Sequence, residues 1–120
     1  MKTEVQIKNG QSVAVVWSDD VIITDTGSAL DLTMGIIHET GCKNIALNKE
    51  AFAEDFFILS TCIAGEILQK FINYGVRLAI YGDFSGYESK ALKDFIYESN
   101  RGNAIYFQPS AADAADKLTQ

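Results

Sequence analysis

The chain has 120 residues, a length that suits one domain able to bury an apolar core without disulfides or metals. Its 10 lysine and arginine residues are outnumbered by 16 aspartate and glutamate residues, and the net charge of −6 argues against nucleic acid or an anionic membrane as partner. No apolar run approaches a membrane span, the first residues lack the apolar core of a signal peptide, and Cys42 and Cys62 have no CxxC spacing. These features predict one soluble cytoplasmic domain over residues 1–120.

The chain begins with a predicted β-hairpin. Residues 4–8 alternate polar and apolar side chains, Asn9-Gly10 suits a type I′ turn, and residues 12–17 (SVAVVW) are rich in β-branched side chains. A short extended piece is predicted at residues 21–24.

Helices and strands alternate in the rest of the chain. Helix starts are predicted at Asp25 or Thr26, at Ser60 or Thr61, at Ser89 and at Ser110, because short polar residues cap helix N-termini. Glycines stop the first three helices, and strands are predicted at residues 43–48, 76–81 and 103–107. The order is ββαβαβαβα, which predicts an α/β domain with a mixed five-stranded sheet.

The faces of the predicted strands differ in side-chain size. Right-handed crossovers between neighbouring parallel strands place every connecting helix on one face, and a sheet covered on both faces usually carries large aliphatic residues on both. We therefore expect helices on the large-aliphatic face only. The open face would favour a homodimer, and its residues would be Ala14, Ala46, Ala79, Tyr81, Ala104 and Tyr106.

The stretch FILSTCIA (57–64) resembles a loop of the STAS domains, typified by the anti-anti-sigma factors of bacteria, that reads roughly F-I-D-S-S-G-L-G. Leu59 stands where that loop has its aspartate, and Cys62 where it has a glycine. The resemblance implies a singly wound STAS-like fold with helices mainly on one face. It also implies a regulatory protein partner and a phosphoacceptor at Ser60 or Thr61.

A second resemblance covers most of the chain. The phrases EDFF (54–57), AGEILQKF (64–71), LAIYGDFS (78–85) and LKDFIYESN (92–100) occur in the same order in the bacterial family catalogued as domain of unknown function 4180, which this chain resembles. This resemblance implies family membership and brings no activity with it.

The loops that contain Asp25, Ser60 and Asp83 each follow a strand. They are predicted to meet at the carboxyl edge of the sheet, where open α/β proteins bind ligands. Acidic side chains with aromatic anchors suit a protein partner better than a phosphate, and GxGxxG, Walker A and GxSxG motifs are absent. The candidate residues are Asp25, Glu54, Asp55, Cys62, Asp83, Phe84 and Tyr87.

Individual residues leave alternatives open. Cys62 at a helix start has the setting of a reactive thiol, but the one histidine, His38, belongs to another helix, and a lone cysteine is usually a small apolar side chain. No ligand spacing points to a metal or other cofactor. Ser60 or Thr61 caps a helix, or caps it and also serves as a phospho-switch.

The sequence thus predicts a non-catalytic protein-interaction or regulatory module of STAS-like type. The alternative is a small-molecule-binding protein or minor enzyme that uses a pocket between the Ser60 and Asp83 loops. A deep pocket lined by Thr61, Cys62 and Asp83 would favour the alternative, and a flat edge would favour the interaction module.

Overall fold

The computed structural model of the chain describes residues 1–120, and its first two strands form the predicted hairpin. Strands β1 (Lys2–Lys8) and β2 (Gln11–Trp17) pair antiparallel along their whole length. The turn residues Asn9 and Gly10 both have positive φ, 53° and 74°, as a type I′ turn requires.

The remaining elements alternate as predicted. They are α1 (Thr26–Thr40), β3 (Asn44–Asn48), α2 (Ile63–Asn73), β4 (Arg77–Tyr81), α3 (Lys90–Arg101), β5 (Ile105–Gln108) and α4 (Ala111–Leu118). Three short 3-10 helices, Lys49–Ala51, Glu54–Phe57 and Leu59–Thr61, connect β3 to α2. The strand order is β1-β2-β3-β4-β5, with β2 to β5 parallel, so the prediction of an α/β domain with a mixed five-stranded sheet is confirmed. None of the helices combines the length and hydrophobicity of a membrane span.

Most of the predicted helix ends are confirmed. Asp25 caps α1, where its carboxylate accepts a hydrogen bond from the Ser28 N–H at 2.8 Å, and Gly41 ends the helix with φ of 73°. Ser89 and Ser110 cap α3 and α4 in the same way, through hydrogen bonds from backbone N–H groups three residues later. These ends depend on residues close in sequence, which is why the sequence locates them.

The larger core lies between the sheet and helices α1, α2 and α3. Each of these helices connects two neighbouring parallel strands, so right-handed crossovers place all three on the same face. The fully buried side chains there include Ile45, Leu47, Leu78, Ile80, Ile67, Phe71 and Leu92.

The expectation that helices cover only one face is wrong, because α4 lies on the opposite face and contacts all five strands. Its Ala114, Ala115 and Leu118 are fully buried in a second cluster with Val13 and Ala46. No strand follows α4, so the crossover rule does not determine its face. Small side chains on the sheet let a helix lined with alanine approach closely, and they mark a covered face here.

This second cluster changes the candidate dimer face. Ala46, Ala79, Tyr81 and Tyr106 are at most 6% exposed beneath α4. Ala14 belongs to the other face, where it aligns with Ile45 in β3, and Ala104 packs against the same larger core. The homodimer prediction therefore loses the surface on which it was based.

Candidate functional site

A chain of aromatic rings runs from the core to the surface at the carboxyl edge of the sheet. Phe56 and Phe57 are buried, with ring centroids 5.0 Å apart. Phe84 and Tyr87 are half-buried and lie 6.2 Å and 5.3 Å from the centroid of Phe57. The buried rings therefore support the two that reach solvent, and these two come from the predicted Asp83 loop.

Lys49 fastens this loop to the end of β3. Its ammonium nitrogen lies 5.8 Å from the ring centroid of Phe84 and 5.0 Å from that of Tyr87, within the range of cation–π attraction. The same Nζ donates a hydrogen bond to the Asp83 carbonyl at 2.6 Å. Gly82 makes room for the lysine stem, because a Cβ at this position would lie 2.9 Å from Lys49 Cγ. Lys49 was not among the predicted site residues, because its one signal in the sequence is its position directly after a strand.

Carboxylates belong to the two loops that hold the half-buried rings. Glu54 and Asp55 open a 3-10 helix and are exposed, and Glu54 Oε1 lies 3.5 Å from the Tyr87 hydroxyl. Asp83 accepts hydrogen bonds from the Ser85 hydroxyl at 2.6 Å and the Ser85 N–H at 2.9 Å. These bonds lower the pKa of Asp83, so its carboxylate is charged near neutral pH. Tyr87 thus joins the Glu54 and Asp83 loops, chiefly through the packing of its ring on Phe57.

Asp25 serves a local role. Its side chain accepts from the Ser28 N–H, and the Ser28 hydroxyl donates to the Asp25 carbonyl at 3.1 Å, so its hydrogen bonds stay within the start of α1. The bonds from Ser28 lower the pKa of Asp25. No hydrogen bond joins Asp25 to the Glu54 or Asp83 loop, and we do not include it in the acidic aromatic edge. We use that name for Glu54, Asp55, Asp83, Phe84 and Tyr87.

The start of α2 differs from the prediction. The helix begins at Ile63, and the N-cap position falls on Cys62, which has φ of 66° and makes no side-chain capping bond. Thr61 Oγ1 accepts from the Ile63 N–H at 3.3 Å, so its hydroxyl still bonds a backbone N–H of the first turn. The single O–H of Thr61 can donate to the Asp55 or the Ile58 carbonyl, each 2.8 Å from Oγ1. Ser60 is exposed, and its hydroxyl forms none of the hydrogen bonds within the protein.

The two cysteines are free thiols, Cys42 buried and Cys62 exposed. Cys62 Sγ has one hydrogen-bond partner, the Ser60 carbonyl at 3.9 Å, and no basic side chain forms a hydrogen bond with it. No three side chains of His, Cys, Asp or Glu converge as a metal site. No pocket opens between the Ser60 and Asp83 loops.

A buried polar pair holds the neighbouring part of this edge. Asn48, the last residue of β3, is fully buried, accepts from the Ser18 N–H at 2.8 Å and donates to the Ser18 carbonyl at 2.8 Å. The Tyr81 hydroxyl donates to the Val16 carbonyl at 2.7 Å. Burial, and secondarily the carboxylate of Glu50, raises the pKa of Tyr81. These bonds tie the end of β2 to β3 and β4, and Asn48 was not among the predicted site residues.

The ionisation of Tyr87 reports on the acidic aromatic edge. Burial of the ring, then the charges of Glu54 and Glu50, raises the pKa of Tyr87 from 10.0 to about 12. Between pH 10 and 12 the folded state therefore holds a proton that the unfolded chain has lost, and the free energy of unfolding falls as pH rises through that window. We expect Tyr87→Phe to remove this part of the pH dependence.

Nuclear magnetic resonance of ring-labelled tyrosines would measure the pKa of Tyr87. We expect Glu54→Gln to lower it toward the ordinary value, and Glu98→Gln, which removes an exposed carboxylate of α3, to leave it unchanged. A wild-type Tyr87 that titrates near pH 10 would contradict the described contact between the two loops.

Fold and edge together define an α/β domain with a mixed, partly parallel sheet and a shallow acidic surface at the carboxyl ends of its strands. The sequence profile of the family described as a domain of unknown function (DUF4180) matches residues 8–118. The chain therefore belongs to this family. Searches of curated proteins and of solved structures found no match.

Proposed function

We propose that the chain is a non-catalytic, STAS-like interaction or regulatory module that binds a protein partner through the acidic aromatic edge. The observation that carries the proposal is the pair of half-exposed rings, Phe84 and Tyr87, held in place by Lys49 and accompanied by exposed carboxylates. The STAS-like assignment rests on the element order ββαβαβαβα and the resemblance of the loop at residues 57–64.

The rings are suited to anchor a partner because they are fixed before it binds. Phe84 and Tyr87 pack on buried Phe57, and Lys49 holds their loop, so little freedom remains to be lost on association. Aromatic side chains in such positions dominate the energetics of many protein interfaces. Phe84 and Tyr87 therefore form the centre of the proposed interface.

The charges indicate the chemistry of the partner. The exposed carboxylates of Glu54, Asp55 and Asp83 outnumber the ammonium group of Lys49 that lies over the rings, and the whole chain carries a net charge of −6. A partner that presents apolar groups flanked by lysine or arginine would complement this surface and associate faster at low salt. The surface is shallow, which suits a protein better than a small molecule that needs enclosure.

Affinity capture with paired baits would test the proposal. Glu54→Lys/Asp55→Lys reverses two charges of the edge, and Glu39→Lys/Glu98→Lys makes the same change in net charge on exposed helical positions elsewhere. We expect proteins bound by the wild type to be retained by the control bait and lost from the edge variant. Capture of the same proteins by both baits would contradict the proposal.

Regulation by phosphorylation at the start of α2 is a second part of the proposal. Ser60 is the more available acceptor because its hydroxyl is exposed and forms no bond within the protein, whereas the Thr61 hydroxyl lies within hydrogen-bond distance of three backbone groups. A phosphate on Ser60 would add negative charge near the acidic aromatic edge and change its affinity for a basic partner.

Substitutions at Ser60 and Thr61 separate the structural role from the regulatory one. We expect Thr61→Ala to lower the free energy of unfolding by about 1 kcal/mol, because it removes the hydroxyl that bonds the helix start, and Ser60→Ala to change it by less than about 0.5 kcal/mol. Denaturant unfolding would measure both. Ser60→Asp should leave the fold intact and alter partner capture, and an unchanged capture pattern would contradict the regulatory role.

A further inference from the structure

The outer edge of β1 has no partner within the chain. β1 pairs with β2 from Lys2 to Lys8, and no other part of the chain forms a backbone hydrogen bond with it. In a hairpin with a two-residue turn, the two residues that flank the turn, here Lys8 and Gln11, hydrogen-bond to each other through both N–H and C=O groups. Every second residue of β1 from Lys8, that is Gln6, Glu4 and Lys2, bonds its partner in β2 in the same way. The N–H and C=O groups of Thr3, Val5 and Ile7 therefore point away from β2.

This edge also exposes apolar side chains. Val5 is 48% exposed and Ile7 is 73% exposed. Natural proteins usually protect an edge strand of this length with charges that repel a second strand. The charges of β1 alternate in sign as Lys2, Glu4 and Lys8, so they repel only some alignments of a second strand.

We propose that β1 pairs antiparallel with β1 of a second copy of this chain, about a two-fold axis at Gln6. In this register Val5 faces Ile7 of the second copy and Glu4 faces Lys8 of the second copy. Symmetry makes each pair occur twice. Opposite charges and paired apolar side chains directly across a sheet both stabilise the pairing of two strands.

The competing register about Val5 is less favourable. It sets Lys2 against Lys8 of the second copy, and like charges directly opposite each other destabilise a strand pair. Lys8 already lies 2.6 Å from Asp116, and its side chain remains 37% exposed. The exposed part of the Lys8 side chain is therefore accessible to the carboxylate of Glu4 from the second copy. Pairing about Gln6 would join the two sheets into one continuous ten-stranded sheet. The acidic aromatic edges of both copies would remain outside this interface.

Single cysteines distinguish the two registers. In a Cys62→Ser background, Gln6→Cys would face its own copy in a non-hydrogen-bonded pair with Cα atoms about 4.5 Å apart, within the range of a disulfide. Val5→Cys is the matched control, because its copies would lie about 7 to 8 Å apart across a diagonal, beyond that range. We expect mild oxidation to cross-link Gln6→Cys and to leave Val5→Cys largely without a disulfide between copies.

Two further measurements make the test independent of that one variant. Mixed chains carrying Glu4→Cys and Lys8→Cys should form a cross-linked heterodimer. In sedimentation equilibrium the wild type should form a dimer that Ile7→Lys weakens at least about tenfold without changing the circular dichroism spectrum. A wild type that stays monomeric at high concentration, or cross-linking that is equal at both positions or favours Val5→Cys, would overturn the proposal.

Discussion

Replacing Asn48 with alanine is expected to lower the free energy of unfolding by about 3 kcal/mol. The Asn48 side chain bonds both the N–H and the carbonyl of Ser18, at 2.8 Å each, and both residues are buried. Alanine would leave these two backbone groups without partners, and each buried unsatisfied group costs about 1 to 3 kcal/mol. The end of β2 would also lose its attachment to β3.

Asn44→Ala is the matched control, at the other end of the same strand. Asn44 is half-buried, and its amide reaches the Ser12 carbonyl at 3.4 Å, too long for a strong hydrogen bond. We expect this variant to lose less than about 1 kcal/mol. Urea unfolding monitored by circular dichroism would measure both, and equal losses would contradict the role assigned to Asn48.

Leu118→Ala is expected to destabilise the fold by about 3 kcal/mol, within the 2 to 5 kcal/mol typical of buried leucine. Leu118 is fully buried between α4 and the sheet, so its truncation leaves a cavity in the second core. The expected result depends on α4 covering the face of the sheet that carries Ala46, Ala79 and Tyr106, since on an open face the same substitution would have little effect.

Ile72→Ala provides the comparison, because Ile72 lies on a helix and is 48% exposed. Its loss should be about 1 kcal/mol or less, since half of the side chain already contacts water. If thermal or urea unfolding showed that Leu118→Ala costs no more than Ile72→Ala, the position of α4 would be wrong.

Local sequence signals predicted most of the secondary structure. Asn9-Gly10 fixes the hairpin turn through positive φ, and Asp25, Ser89 and Ser110 fix helix starts through bonds to N–H groups three residues away. Each of these signals acts within four residues of the structure that it determines. The element order, and with it the parallel part of the sheet, followed from them.

The faces of the sheet were harder to predict because they depend on packing between distant segments. Residues 12–17 have no clear alternation, since β2 is covered on both faces and Val13 and Ala14 are both fully buried, on opposite sides. Alanine on a strand fits an open surface and also a closely packed helix. Only the position of α4 distinguishes these two cases.

The candidate site was predicted in part. The topology brought Glu54 and Asp83 to one edge, because loops that follow parallel strands emerge at the same end. The interactions that fix this edge, Lys49 with Asp83 and Asn48 with Ser18, join residues about thirty positions apart or more and leave no local pattern. Cys62 was predicted in the first turn at a helix start, but it lies at the N-cap with φ of 66°, which non-glycine residues seldom adopt.

Site-specific photocrosslinking is the most direct test of the proposed interaction edge. A photoreactive phenylalanine analogue at Tyr87 would lie at the centre of the acidic aromatic edge, and the same analogue at Tyr97, 61% exposed on α3, is the control. We predict that irradiation in the native cell yields a discrete adduct with another protein from position 87 and not from position 97. No adduct from position 87, or the same adducts from both positions, would contradict the account.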